Sequence, residues 1–197
     1  MMGQIWQIWE SGGWVMLPLF VLAVLLYAQG FGLVMYVRKM RLNPKEEMHW
    51  REWIRRPGNA EGRVAEIIRY TQSDHSTQKQ IQLRFEEIRI ATMSLIDRRA
   101  RFLAIMVATA PLLGLLGTVL GMLQTFYGIS TSGGSEAATV VASGISQALV
   151  TTQAGLMIAL PGLFMVMIIR HQRNGFAACL ARLESLTMGH FQLQGVN

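Results

Sequence analysis

Residues 102–135 read FLAIMVATAPLLGLLGTVLGMLQTFYGISTSGGS and contain no Asp, Glu, Lys, Arg or His. A helix of about 20 apolar residues crosses a hydrocarbon core of about 30 Å, so this stretch is long enough to span a membrane. Two further stretches without acidic or basic residues lie between Gly13 and Val37 and between Glu136 and Arg170. The sequence therefore predicts an all-α membrane protein with three transmembrane helices.

The basic residues are confined to two segments of the chain. Fifteen of the eighteen Lys and Arg residues lie from Arg38 to Arg101, and the other three follow the third apolar stretch. Since cytoplasmic loops carry the excess of Lys and Arg, we predict a periplasmic N-terminus, a cytoplasmic middle segment and a cytoplasmic C-terminus. The first apolar stretch is about 24 residues long, which exceeds a signal-peptide core, and its basic flank follows it, so we interpret it as an uncleaved anchor.

These patterns divide the chain into seven predicted segments. Transmembrane helices are expected at 14–37, 102–127 and 139–169, and the bulky first helix is expected to contact lipid. The N-terminus at 1–13 carries Ile5, Ile8 and Trp9 at the spacing of a short amphipathic surface helix. A cytoplasmic helical segment is expected at 38–101, a periplasmic loop at 128–138 and a cytoplasmic C-terminal helix at 170–197.

The cytoplasmic segment contains recognisable helix starts and stops. Asn43 and Asn59 are candidate N-caps, Pro57 ends the first helix, and residues 73–76 form a predicted turn. From Thr77 no residue stops the helix before Pro111, so we expect one long helix that continues into the second span. It and the C-terminal helix should form a cytoplasmic bundle through apolar residues spaced mostly by three and four: Ile81, Phe85, Ile88, Leu95 and Phe102, with Phe176, Leu180, Leu183 and Leu186.

Several classes of function are disfavoured by the composition. The net charge of +6 and pI near 10.1 do not favour nucleic acid, because the basic residues flank apolar spans and alternate with acids. Cys179 is alone, and the four histidines form no cluster, so neither a metal site nor a cofactor is predicted. No nucleophile–base pair or carboxylate dyad lies in an enclosed segment, which argues against an enzyme.

The second and third spans differ from the first in carrying rows of small and polar residues. Residues 114, 118, 121 and 125 step by four, three and four, and residues 148, 152, 155, 159 and 162 continue the same spacing. Each row therefore lies on one helix face. Close helix packing is one explanation. The other explanation is that these faces point inward in an oligomer and enclose a narrow ion path. Gln147 and Thr151 are polar, and Pro111 and Pro161 each leave a backbone carbonyl without its helical hydrogen bond. Such a path would lack a proton carrier of its own.

Three stretches at these spans resemble a known family. Residues 12–19 read GGWVMLPL, residues 109–122 read TAPLLGLLGTVLGM, and residues 144–152 read GISQALVTT. The chain is similar in these stretches, in span order and in topology to the MotA/TolQ/ExbB proton-channel family, and most similar to ExbB, the biopolymer transport protein of TonB systems. The second-span stretch is specific, whereas the cytoplasmic part adds little.

The resemblance implies a ring of five such subunits in the inner membrane of a Gram-negative bacterium. The ring would surround the membrane helices of an ExbD-like single-span partner, whose aspartate takes up and releases the ion, and would energise a TonB-like protein. Thr118 and Thr152 match the two hydroxyls expected to contact that aspartate. The residues expected to line the path or pack on the partner are Pro111, Gly114, Gly121, Thr125, Gln147, Ala148, Thr151, Gly155 and Ala159.

Gln147 departs from the family pattern, because many ExbB-like proteins carry glutamate there. It therefore cannot relay a proton, and we hypothesise that it forms a hydrogen bond at a helix–helix or helix–partner contact. Two alternatives remain open: a TolQ-like role in the Tol–Pal cell-envelope system, and a membrane scaffold whose small faces only pack helices. A flagellar stator, with four spans, is a weaker match. Protons are favoured over sodium, and the sequence does not identify the cargo.

Overall fold

The protein is represented by a computed structural model that describes residues 12–40, 47–56, 58, 62–72, 78–131 and 135–194. The predicted surface helix at the N-terminus, the caps at Asn43 and Asn59, Pro57 and the predicted turn at 73–76 lie outside these residues. All the regular structure within them is helical.

The described chain forms five α-helices. Helix α1 covers Met16–Met40 and follows a 3-10 turn at Gly13–Val15; α2 covers Glu47–Arg55 and α3 covers Gly62–Gln72. Helix α4 covers Gln78–Thr131 and α5 covers Ser135–Gln194. Helices α1, α4 and α5 are each long and apolar enough to cross a membrane, which confirms the three predicted apolar helices.

The two longest helices differ from their predicted limits. Helix α4 runs unbroken through Pro111, as expected, and continues to Thr131, while α5 begins at Ser135. The loop predicted at 128–138 is therefore helical at both of its ends. Polar residues alone do not stop a helix. Residues 132–134 lie outside the part of the chain that the structure describes.

The described chain divides into two compact units. The first, which we name the apolar unit, contains residues 12–32 and 101–167, and the second, the charged unit, contains the described parts of 33–100 and 168–194. In the apolar unit, α1 buries Leu19 and Leu26, and α4 buries Leu103 and Ala110.

The charged unit has its own hydrophobic core. Trp50, Ile68, Phe85 and Leu183 are almost fully buried there, so α2, α3, α4 and α5 all contribute. The predicted C-terminal contribution is confirmed, since Phe176, Leu180 and Leu183 are buried and Leu186 packs against the cluster.

The predicted seam of α4 is correct only at its start. Ile81 and Phe85 are buried, but Leu95 and Phe102 are 38% and 58% exposed, so their assignment to the seam was wrong. The buried line instead continues through Met93, Ile96 and Ala100. With 3.6 residues per turn, Met93, Ile96 and Ala100 lie about 40–100° around the helix from the midpoint of Ile81 and Phe85, so the buried side has turned away from residues 95 and 102.

Candidate functional site

Helices α4 and α5 make backbone contact at the small residues that the sequence singled out. A Cβ on Gly155 would lie 2.7 Å from the carbonyl oxygen of Ala110 and 3.2 Å from the Cα of Gly114. A Cβ on Gly114 would lie 3.0 Å from the carbonyl oxygen of Thr151 and 3.1 Å from the Cα of Thr152. Since these neighbours are backbone atoms, they cannot move aside as a side chain could, and only glycine permits this separation.

A second close contact lies further along the same antiparallel pair. A Cβ on Gly121 would lie 2.7 Å from the carbonyl oxygen of Gly144, and a Cβ on Gly144 would lie 2.7 Å from that of Gly121. Gly144 also contacts the hydroxyl of Thr125, which donates to the carbonyl oxygen of Gly121 at 3.0 Å. The two contacts hold α4 and α5 together over several turns of the apolar unit.

Thr151 is enclosed between the two helices. Its side chain is fully buried, and its hydroxyl can donate to the carbonyl oxygens of Gln147 at 3.1 Å and Ala148 at 3.0 Å. A Cβ on Gly117 would overlap the side chain of Thr151, so this threonine occupies the space that the glycine leaves. Thr151 thus has its polar group satisfied inside the single chain.

Thr152 and Thr118 are half-buried. The hydroxyl of Thr152 lies 3.3 Å from the carbonyl oxygen of Gly114 on α4 and 3.3 Å from that of Ala148 on α5. The hydroxyl of Thr118, one turn beyond Gly114, donates to the carbonyl oxygen of Leu115 at 2.6 Å. In both residues the proton is directed at the backbone, so the oxygen lone pairs are available to accept a hydrogen bond. Each hydroxyl must rotate before it can donate to a carboxylate.

Gln147 contacts the beginning of α1. Gly13 has φ of +62°, a conformation that favours glycine, and a Cβ there would overlap Nε2 of Gln147. The half-buried amide of Gln147 therefore lies against the backbone of Gly13 within the same chain. The hypothesis that Gln147 forms a hydrogen bond at a helix–helix or helix–partner contact stays a prediction.

A second polar link between α1 and α5 was missed by the sequence analysis. The hydroxyl of Tyr27 donates to the carbonyl oxygen of Ile158 at 3.1 Å. Pro161, one turn later, has no N–H and interrupts the hydrogen-bond ladder of α5 near this point. A phenol in an apolar span needs a hydrogen-bond partner, and that requirement was the available signal. Helix α1 therefore packs on α5 as well as exposing Phe20 and Val24.

The structure separates the predicted wall residues into two groups. Seven are buried within the single chain, while Pro111 and Gln147 are half-buried, as are Thr118 and Thr152. The seven are Gly114, Gly121, Thr125, Ala148, Thr151, Gly155 and Ala159. Their contacts are those of close helix packing, and a role of the same surface in lining an ion path stays a prediction.

The site contains no charge of its own. No Asp, Glu, Lys, Arg or His occurs in residues 102–135 or 137–169. Within the described parts of the chain, no group of three His, Cys, Asp or Glu residues is placed to hold a metal ion. The chemistry that the site offers is therefore hydrogen bonding by the neutral hydroxyls of Thr118 and Thr152.

Comparison with known proteins supplies the family. The sequence model of the MotA/TolQ/ExbB proton channel family matches residues 58–180. The chain is 37% identical over 116 residues to a Synechocystis protein named as biopolymer transport protein ExbB-like 1, which covers 56% of this chain and 46% of that protein. It is 48% identical over 61 residues to biopolymer transport protein exbB1 of Vibrio cholerae, covering 31% and 27%.

A further relative belongs to another system. The Tol-Pal system protein TolQ of Pseudomonas aeruginosa is 45% identical over 60 residues, covering 30% of this chain and 26% of TolQ. In all three comparisons the matched part is less than half the length of the relative.

Proposed function

Since this chain belongs to the MotA/TolQ/ExbB proton channel family and is close to ExbB, we propose that it is the multi-span subunit of an ion-driven complex in the bacterial inner membrane. A homo-pentameric ring of such chains would surround the helices of an ExbD-like partner and use the proton motive force to energise a TonB-like protein. The N-terminus would be periplasmic and the C-terminus cytoplasmic, in agreement with the one-sided distribution of Lys and Arg.

The observation that supports this proposal is the pair of half-buried hydroxyls in the parts of α4 and α5 that carry no charge. A partner's carboxylic acid can donate to the lone pairs that Thr118 and Thr152 leave free. After it loses its proton, the resulting carboxylate can accept a hydrogen bond if the threonine hydroxyl rotates away from its carbonyl. A fixed cation at these positions would hold the carboxylate ionised and stop the cycle. Neutral hydroxyls therefore suit a group that must change its charge in every turnover.

Replacement of both threonines by alanine tests the proposal. We expect the Thr118→Ala/Thr152→Ala variant to assemble with the partner, but its proton flux should fall by about tenfold or more. The reason is that a hydrogen bond to a charged group contributes about 1.5–3 kcal/mol. Flux is measured with a pH-sensitive dye in liposomes that contain the purified complex. The control is Ser130→Ala/Ser143→Ala, because these exposed hydroxyls bond only to carbonyls of their own helices. Undiminished flux in the threonine variant would favour a scaffold.

A TolQ-like role is the second candidate, and the similarity to TolQ supports it. The two roles are distinguished by complementation of bacterial strains that lack either ExbB or TolQ, each supplied with this chain and its partner. Rescue of TonB-dependent uptake supports the ExbB-like role, whereas rescue of outer-membrane integrity alone supports the TolQ-like role.

A further inference from the structure

Helix α2 in the charged unit combines a buried apolar side with an exposed cationic side. Trp50 and Ile54 are 0% and 3% exposed, whereas Arg51, Arg55 and Arg56 are exposed. Arg51 and Arg55 are four residues apart and so lie on one face of the helix. Glu47 and Glu52 precede Arg51 and Arg56 by four residues, so the three arginines exceed the acids of this segment by one charge.

The two arginines line a cleft between α2 and the C-terminal part of α5. The cleft has a volume of about 260 Å³, and its other lining residues are Ile54, Ser185, Leu186, Gly189 and His190. The same two arginines also line a second recess of about 490 Å³, together with Glu52 and Arg56. In the first cleft they lie beside the half-buried apolar side chain of Leu186.

Neither Arg51 nor Arg55 forms an ion pair with a side chain that the structure describes. The pairs of Arg89 with Glu86 and of Arg173 with Asp97 lie outside α2. The carboxylate of Glu184, next to Ser185 of the cleft, interacts with Arg89 of α4. The pKa of Arg89 is raised chiefly by its hydrogen bond with Glu86, and Glu184 adds to that rise. Glu52 supplies one negative charge against the three arginines that share its recess.

The position of the cleft along α5 distinguishes between two sources of anion. Arg170 is the first charged residue after the third apolar stretch, and Gly189 follows it by 19 residues, which is about 29 Å along the helix. The headgroup layer extends only about 5–8 Å beyond the hydrocarbon core on each side. A lipid headgroup of the same membrane is therefore a poor occupant. The apolar floor also favours a ligand that carries apolar side chains next to its carboxylates.

We propose that the α2–α5 cleft binds an acidic segment of a partner polypeptide. Carboxylates of the segment pair with Arg51 and Arg55, because the planar guanidinium fork matches a carboxylate with two hydrogen bonds. An apolar side chain of the segment packs against Leu186. This surface lies in the charged unit and is separate from the hydroxyls of Thr118 and Thr152 in the apolar unit.

The test measures binding of a fluorescein-labelled peptide of Asp, Glu and Leu to the full chain in nanodiscs, by fluorescence anisotropy. We expect Arg51→Gln/Arg55→Gln to weaken binding by about tenfold or more. Lys79→Gln/Arg98→Gln removes the same net charge from exposed positions outside the cleft and should change binding by less than about twofold. The charge reversal Arg51→Glu/Arg55→Glu should instead bind a peptide in which Lys replaces every acid. Circular dichroism checks that each variant keeps its helix content.

Three results would overturn the proposal. Equal weakening by the two Gln variants would mean that the peptide senses only net charge. Equal affinity of the unchanged chain for the acidic and the Lys peptides would exclude charge recognition by the cleft. Loss of peptide binding when half of the phosphatidylcholine in the nanodisc is replaced by phosphatidylglycerol would identify lipid as the occupant.

Discussion

At the residue scale, Gly155 sets the distance between α4 and α5 at its contact with Ala110. A Cβ there would meet a backbone oxygen at 2.7 Å, and the oxygen cannot yield without a shift of the whole helix. We therefore expect Gly155→Ala to destabilise the chain by about 1–3 kcal/mol, as overpacking of a close contact does. Gly175→Ala on the same helix is the control, because no atom lies within 4 Å of its Cβ position. That control should be neutral or stabilising by up to about 1 kcal/mol.

Unfolding of both variants in detergent micelles by a denaturing detergent, followed by circular dichroism, measures the difference. Equal stability of Gly155→Ala and Gly175→Ala would contradict the close approach of the two helices. The sequence could predict that these glycines share a helix face, because that follows from spacing alone. It could not predict that Gly155 meets Ala110 and Gly114, since pairing between helices depends on how the whole unit assembles.

Gln147 is the second residue whose role can be measured in the single chain. Its amide contacts the backbone of Gly13, so Gln147→Leu should weaken the packing of the 3-10 turn that precedes α1. Amide hydrogen exchange in residues 13–20 should then be faster. The expected increase is about two- to fivefold, which corresponds to the loss of a packing contact of about 0.5–1 kcal/mol. Gln153→Leu is the matched control, because Gln153 is exposed on the same helix. An identical exchange pattern in both variants would assign the amide to a partner contact instead.

At the element scale, an ion pair joins α4 to α5 in the charged unit. Arg173 donates to Asp97 with two nitrogens, at 3.0 Å from Nε and 2.7 Å from Nη2, and the side chains are 32% and 41% exposed. Solvent screens a pair of this exposure, so we expect a coupling energy of about 0.5–1 kcal/mol, at the upper end for surface pairs because the geometry is bidentate.

A double-mutant cycle of Asp97→Asn and Arg173→Gln measures that coupling from the unfolding free energies of the four proteins. The pair of Glu86 and Arg89 is the comparison, since both residues lie on α4 and such pairs within a helix contribute about 0.3–0.5 kcal/mol. The Asp97–Arg173 coupling should fall in high salt. Zero coupling at low salt would mean that the pair forms without holding the helices together.

Helices α4 and α5 also show which buried residues can be predicted from helical periodicity and which cannot. The sequence correctly placed Ile81, Phe85 and the C-terminal leucines in a shared core, because bulky residues at helical spacing need a partner surface. It failed at Leu95 and Phe102, because the buried side of α4 turns around the helix after Phe85, and a period taken from Ile81 and Phe85 cannot show that turn. A small buried residue such as Ala100 carries little signal in a sequence.

At the scale of the whole molecule, the apolar unit exposes large apolar side chains on all three long helices. In the single chain, Val24 of α1 is 51% exposed and Val119 of α4 is 52% exposed. Composition cannot tell the lipid-facing helix from one that contacts other copies or a partner, because lipid and a packed helix are equally apolar surroundings. The three spans were therefore predictable. Which face of each span contacts lipid, another subunit or a partner was not, because that depends on how the complex assembles.

These two valines offer a matched test of the proposed ring. We expect α1 to face lipid, and we expect the exposed side of α4, which carries Val119 opposite the row at residues 114, 118, 121 and 125, to be covered by another subunit or the partner. A nitroxide at position 24 should therefore be open to oxygen dissolved in the bilayer, and one at position 119 should be shielded. Each label is attached to a single cysteine in a Cys179→Ser background, and the complex with its partner is reconstituted in liposomes for electron paramagnetic resonance. Because the two sites are equally exposed in one chain, any difference in oxygen access arises from assembly. Equal access at both sites would contradict the ring, and shielding of position 24 alone would place α1 rather than α4 at the contact between subunits.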